Sequence, residues 1–388
     1  MIAPGALEGF RVLDFSQMMA GPLCATMLAD FGADVIKIEP PEGDAMRNTG
    51  ETRIGGETEF YLSVNRNKRS VVLDLKSAHG LQAAMRLMQT ADVVIENFRP
   101  GTADRLGIGY AAVRAVNPKI VYCSLSGFGK DSVNRDRPAL DPVIQAMSGV
   151  MQLSGTAQTG PLRTGFAVSD FSTPIFAAYG VALALLARER NGSGQRIDLS
   201  MLNATVAAMV PREGYYFATG RTPERHGNEH YQIVPYGAYE TSDQRQVFII
   251  AHNDKYWAAL VRALAHAELD DARFATGKGR LAHRADVNAL IAQACRAVCV
   301  DELMRRLTNE GVLFSLVRSF EEVFTDPEIE RDMVVRIAHP TAGEVRVLAN
   351  PLQLSGTPAR VRLAPPLLGQ HTEEVLAEIG MGAGDGHA

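Results

Sequence analysis

The sequence predicts an α/β fold built on a doubly wound parallel sheet, with a second, smaller α/β domain. Two observations carry this. Short β-branched runs alternate with helical stretches through the first third, the pattern of parallel strands joined by helical crossovers. The 388 residues also exceed the roughly 250–300 at which one hydrophobic core stops growing.

In order, "RVLDF" (11–15) reads as a strand, "PLCATMLADFG" (22–32) as a helix closed by Gly32, and "DVIKIE" (34–39) as the next strand. "SVVLDLK" (70–76), "DVVIENF" (92–98) and "KIVYCSLSGFG" (119–129) continue the strands, with "AHGLQAAMRLMQTA" (78–91) a helix between two of them. In "TGFAVSDFSTP" an apolar, strand-like run ends on Asp170 and gives way to a helix over 174–190. Pro174 in its first turn and basic residues in its last suit a helix. "NGSGQ" then turns into the strand "RIDLSML".

After Pro211 the texture becomes richer in aromatics and loops, and a second unit begins near 225. It holds strands "YGAYET" and "QVFIIA" and the helix "DKYWAALVRALAHAEL", whose Trp257, Leu260, Val261 and Leu264 form a core stripe. From about 335, "EVRVLANPLQLS" and the helix "HTEEVLAEIG" return to the first domain. The expected division is a large domain over 1–205, a small one over 225–330, and a returning segment over 335–388.

Hydrophobic residues at 46% and charged residues at 21% describe an ordinary globular chain, and a net charge of -5 offers no global attraction to nucleic acid or anionic lipid. The start lacks a basic n-region and an apolar h-region, and no run is read as long enough to span a membrane, so a cytoplasmic location is expected. The four cysteines are read as core residues, with Cys295 and Cys299 on one face of a helix, rather than as a disulfide or zinc framework. No HExxH occurs, and "RHGNEH" would offer His226 and His230 to a metal only if helical, so no metal is expected.

Open α/β sheets bind ligands beyond the carboxyl ends of their strands, which singles out "SQMMAGP", "PPEGDAMR", "NFRPGTADR" and "SGFG". The first turn has no G-x-G-x-x-G, which argues against a dinucleotide dehydrogenase. Cations cluster at Arg66, Lys68, Arg69, Lys76, Arg99 and Arg105, beside strand ends or helix starts where a phosphate could combine a charge with free N–H groups. The alternative is a solvated surface. Asp170 is similarly balanced between a helix-start acid and an ionised nucleophile for an acyl carbon.

The ordered set "GADVIKIEPPEGD", "NRNKRSVVLDLK", "ADVVIENFRPGTADRLGIGY", "NPKIVYCSLSGFG", "SDFSTP…GVALALLARERNGSGQRIDLSML" and "WAALVRALAHAELDDARFAT" resembles the class III CoA-transferases of the formyl-CoA:oxalate and carnitine type, over about residues 8 to 380. The resemblance implies exchange of CoA between an acyl-CoA, commonly succinyl-CoA, and a small carboxylic acid through a covalent aspartyl intermediate on Asp170. It implies coenzyme A contacts at Met19, Ala20, Leu73, Asp74, Lys76, Asn97, Phe98, Arg99, Arg105 and Asp141. It also implies a Rossmann-like large domain, a ring-shaped chain and an interlocked homodimer.

Three departures from the family pattern stand out. Met19 replaces a glutamine and cannot donate a hydrogen bond, "HGNEH" around Gly227 replaces a glycine-rich lid, and Leu313 and Phe314 replace a proline. Two other readings compete. A 2-methylacyl-CoA racemase would need a histidine at position 140, where Leu140 stands, and a CoA-thioester-binding regulator would need no Asp170 chemistry.

Overall fold

A computed structural model of the chain describes residues 4–382. The chain divides into two compact units, one drawn from Met1–Val150, Arg163–Glu213 and Pro327–Ala388, the other from Met151–Leu162 and Gly214–Asp326.

The first unit is organised by a six-stranded sheet in the spatial order Lys68–Val72, Asp34–Glu39, Arg11–Asp14, Val93–Glu96, Val121–Ser126, Arg196–Ser200. Every pairing is parallel, as alternating strands and helices require. Both faces are covered: Leu13, Ile36, Val71 and Val94 pack with Leu87 and Met88 of the helix Ala78–Thr90 on one side. On the other, Val12, Val35 and Val93 pack with Cys24 and Leu28 of the helix Ala20–Asp30 and with Val181 and Leu185. The chain order reverses between Arg11–Asp14 and Val93–Glu96, which opens a crevice where the loops after these two strands part.

Several expectations need correction. The strand expected over 70–76 is shifted to Lys68–Val72, and Leu73 to Lys76 form the turn that follows. This puts Arg66, Lys68 and Arg69 at the amino end of that strand, away from the ligand edge, and all three are occupied in structural pairs. Arg66 grips both oxygens of Asp30 at 3.0 and 2.6 Å, and Arg69 binds Asp34 at 3.0 and 2.7 Å. Lys68 is buried and donates to Asp14 Oδ2 (2.9 Å), Pro22 O (2.8 Å) and Asn65 Oδ1 (2.9 Å), which uses all three ammonium protons.

The apolar run before Asp170 is no strand. A single helix runs from Val168 to Asn191, so Pro174 lies inside it and Asp170 in its first turn. It is also long and apolar enough to cross a membrane by length and composition, unlike the sequence reading; yet Ala177, Val181, Ala184 and Leu185 pack in the core against the sheet. Its opposite face, Phe171, Ile175, Phe176, Tyr179, Leu183 and Leu186, is exposed. Late in the chain, Val334–His339 pairs with Gly343–Leu348 as a hairpin, and the helix Thr372–Glu378 is tied to the sheet edge by Arg69–Glu374 (2.8 Å) and the bond from His371 N to Ser70 O (2.9 Å).

The second unit is a three-stranded antiparallel sheet, Leu313–Leu316, Gln246–Ile250 and Tyr236–Glu240, packed on helices. Its core unites Trp257, Leu260 and Leu264 with Ile291 and Leu303. Leu313 and Phe314 lie on an edge strand opposite Ile250 and Ile249. Cys24, Cys123 and Cys295 are buried, but Cys299 is exposed, because the helix Arg284–Arg296 stops before it and Cys299 caps the next one. His226 and His230 lie in a loop rather than a helix, and His230 Nδ1 accepts from the N–H groups of Gln232 and Ile233 at 3.1 Å. That loop is held down: Gly227 N donates to Gly155 O at 2.8 Å, and Arg225 reaches Gln152 Oε1 at 2.6 Å.

Candidate active site

The crevice is built by two loops that the sheet delivers side by side. After Asp14 the chain runs Phe15-Ser16-Gln17-Met18-Met19, and after Glu96 it runs Asn97-Phe98-Arg99-Pro100. Asn97 joins them in both directions, its Oδ1 accepting from Gln17 N at 2.9 Å and its Nδ2 donating to Gln17 O at 2.7 Å. Met18 adopts a left-handed conformation (φ 65°), uncommon for a residue with a side chain, and its N–H is received by Asp44 Oδ1 at 3.0 Å. Asp44 is itself fixed by the buried Lys37 at 2.7 Å, and Lys37 also donates to Ser16 O at 2.9 Å.

Beneath this loop, burial pushes the Asp14 carboxyl up, but the neighbouring Lys68 and Lys37 outweigh it and leave it below the usual range. Burial pushes Lys68 down to about 8. Such a buried network is costly if one partner is removed, and it therefore holds the loop above it in a single arrangement. On the Asn97 side, the buried Glu96 accepts from Phe98 N at 2.9 Å and from the Ser124 hydroxyl.

Three adjoining basins open on these loops. The largest, about 1010 Å³, is walled by Met19, Ala20, Asn97, Phe98, Arg99, Asp141 and Asp170 among the expected site residues. A smaller one of about 210 Å³ has Leu73, Asp74 and Lys76 in its wall and shares Gln17 and Phe98 with the first. The third, about 450 Å³, contains Arg105 and shares Phe98 and Arg99. All the expected positions thus line one or another of three neighbouring basins, with Phe98 common to all three. Sequence reasoning missed Lys130, Arg135 and Arg196 in the third basin and Arg137 and Arg163 in the first. Isolated arginines in "NRDRP" and "PLRTG" gave no signal, because long-range folding brings them there.

Asp170 occupies the third position of its helix, whose first turn is held by the neighbouring helix Asp141–Ser148. Asp141 Oδ1 accepts from Ser169 N at 2.8 Å, and its Oδ2 accepts from Gln145 Nε2 at 2.7 Å. Burial, with a second contribution from the Asp141 charge, pushes Asp170 up to about 6. A carboxylate of that basicity is still mostly ionised at neutral pH and a stronger nucleophile than an ordinary aspartate. Among the described residues no cluster of three His, Cys, Asp or Glu side chains is placed to hold a metal ion.

The sequence matches the model of CoA-transferase family III over residues 7–372. The succinate–glutarate CoA-transferase of Agrobacterium fabrum is 36% identical over 382 residues, covering 96% of this chain and 95% of that protein. The succinyl-CoA–D-citramalate CoA-transferase of Chloroflexus aurantiacus is 35% identical over 379 residues, covering 97% and 94%. The crystal structure of a CAIB/BAIF family protein from Brucella suis superposes with a TM-score of 0.89 at 32% identity, covering 97% of this chain and 100% of that one. The chain belongs to CoA-transferase family III. It is an enzyme, a CoA-transferase acting on CoA thioesters.

Proposed function

We propose that this enzyme moves CoA from succinyl-CoA to a small dicarboxylic acid through covalent intermediates on Asp170. The observation that carries this reading is the position of Asp170 in the wall of the basin that also gathers Met19, Ala20, Asn97, Phe98 and Arg99. The names of the two relatives, both acting between dicarboxylic acids, support the substrate class.

In this reading the Asp170 carboxylate attacks the donor thioester carbonyl; the C–S bond breaks, CoA thiolate leaves, and a mixed anhydride remains. The thiolate then attacks the aspartyl carbonyl carbon and expels succinate, leaving an aspartyl-CoA thioester. The acceptor carboxylate attacks that thioester, expelling thiolate and forming a second anhydride, and thiolate attack on the acceptor's acyl carbon releases the new CoA ester and restores Asp170. No proton or oxidant is consumed.

The Asp170 N–H has no partner among the described residues, and as an orphan donor of a helix start it suits a developing oxyanion. Pantetheine would pass Gln17 and Phe98 toward Asp170, while the adenine nucleotide end would meet Leu73, Asp74, Lys76 and Arg105. Met19 leaves the donor without the side-chain hydrogen bond that a glutamine would supply.

The homodimer implied by the sequence resemblance belongs to the same proposal. Phe171, Ile175, Tyr179, Leu183 and Leu186 recur at helical spacing on one exposed face, as expected where a second copy covers the helix. A cytoplasmic setting is proposed with it. The test is a panel of acyl-CoA donors against small carboxylic acids, read by chromatography of the CoA esters; failure of every pair to exchange CoA would end the reading.

A further inference from the structure

Four arginines line the Asp170 basin, and their surroundings differ. Arg99 and Arg135 also face the third basin, and Arg135 lies 3.5 Å from Asp136. Arg137 donates to Asn134 Oδ1 at 3.1 Å and lies over the Phe128 ring, 5.7 Å from its centroid. Arg163 is exposed and has neither a hydrogen bond nor an ion pair among the described residues.

Its main chain is nevertheless fixed. Thr164 donates its N–H to Gln145 Oε1 at 2.9 Å and its hydroxyl to Phe166 O at 2.6 Å. Gln145 in turn donates to Asp141, the residue that also receives Ser169 N. The segment carrying Arg163 and the helix turn carrying Asp170 therefore hang on the same Asp141–Gln145 pair, within one basin wall. A guanidinium with its charge unspent, in the wall of the same basin as Asp170, is placed to receive an anion bound there.

We propose that Arg163 binds the distal carboxylate of the acyl group and so makes the enzyme selective for dicarboxylic acids; this rests on Asp170 being the group that accepts the acyl unit. The reacting carboxyl of either substrate is consumed in bonding to Asp170, so only a second anionic group can use the cation. A planar guanidinium suits a carboxylate because it offers two parallel N–H donors. Donor acyl group and acceptor acid occupy the site in turn, so one clamp selects both.

The test compares single-turnover acylation of Asp170 by succinyl-CoA and by butyryl-CoA, which has the same chain length but lacks the distal carboxylate. The full-length enzyme, Arg163→Gln and Arg163→Lys are used, with trapping by hydroxylamine. The wild type should favour succinyl-CoA, and Arg163→Gln should reduce that preference roughly ten- to a hundredfold, the size expected for a hydrogen bond to a charged group. Arg163→Lys should keep part of it. Because Arg163 spends no bond in the fold, both variants should melt with the wild type.

A preference that Arg163→Gln leaves intact overturns the proposal. So does an equal loss for both donors accompanied by weaker binding of free CoA, which would make Arg163 a phosphate contact. Absence of any trapped Asp170 in the wild type with either donor would instead defeat the underlying assignment of the nucleophile, and the clamp with it.

Discussion

Asp141 accepts the N–H of Ser169 at 2.8 Å and thereby holds the helix turn on which Asp170 is the next residue. The two acids act unequally: both line the basin, but the Asp141 carboxylate is spent on a helix N–H and on Gln145, whereas the Asp170 carboxylate has no hydrogen-bond partner among the described residues. Burial and the nearby Asp141 charge raise Asp170 to about 6, so kcat/KM should lose activity as pH falls through that value. Asp141→Asn removes the like charge, and the acid limb should move to lower pH. A pH profile that stays where it was would show that Asp141 has no electrostatic hold on Asp170.

Asp170→Asn should abolish turnover, by about a thousandfold or more, as expected when a covalent nucleophile is lost. CoA affinity, measured by calorimetry, should stay within a few fold, since Asn97, Phe98 and Arg99 are untouched. Near-normal turnover in this variant would contradict the assignment.

The same substitution should stabilise the fold at neutral pH. Because Asp170 is raised from 3.8 to about 6 on folding, the native chain binds a proton that the unfolded chain has released between those values. Stability therefore falls as pH rises through that window, and the full cost of the ionised group is present above it. Asp170→Asn should melt several degrees above wild type at pH 7.5, with the gap closing near pH 4. Equal melting curves at both values would count against a carboxylate desolvated by the fold.

Much of the large domain could be read from the chain, because parallel strands covered on both faces leave continuous β-branched runs: Asp34–Glu39 was legible residue for residue. The start of the Asp170 helix was not. Proline is costly inside a helix, so "DFSTP" reads as a beginning at Pro174, whereas the helix starts at Val168. The hydroxyl of Thr173 donates to Ser169 O at 2.6 Å in the turn that precedes the proline, a local bond that no periodicity reveals. Lys68 and Arg69 misled in another way, since the charge on a strand's first residues says nothing of which sheet end it serves. Among the cations read as anion contacts, Lys76, Arg99 and Arg105 lie on the crevice edge, because they follow strands instead of opening them.

Asn97→Ala removes both bonds to Gln17, at 2.9 and 2.7 Å, and with them the tie across the switch point. A stability loss of about 1–3 kcal/mol is expected by denaturant titration, together with a raised KM for the acyl-CoA. An unchanged KM would mean that the loop around Met18 and Met19 is held in place without Asn97.

Leu183→Glu or Tyr179→Glu would place a charge on the exposed face of the 24-residue helix. Light scattering should show the wild type as a dimer and these variants as dissociated or aggregated chains. A wild type that is monomeric at micromolar concentration would contradict the dimer.

The most direct test is mass spectrometry of the enzyme mixed with succinyl-CoA and quenched with hydroxylamine or borohydride. The peptide containing Asp170 should carry a hydroxamate or be reduced to the alcohol, and only when the acyl-CoA is present. An unmodified Asp170 in an enzyme that is turning over would contradict covalent transfer through this residue.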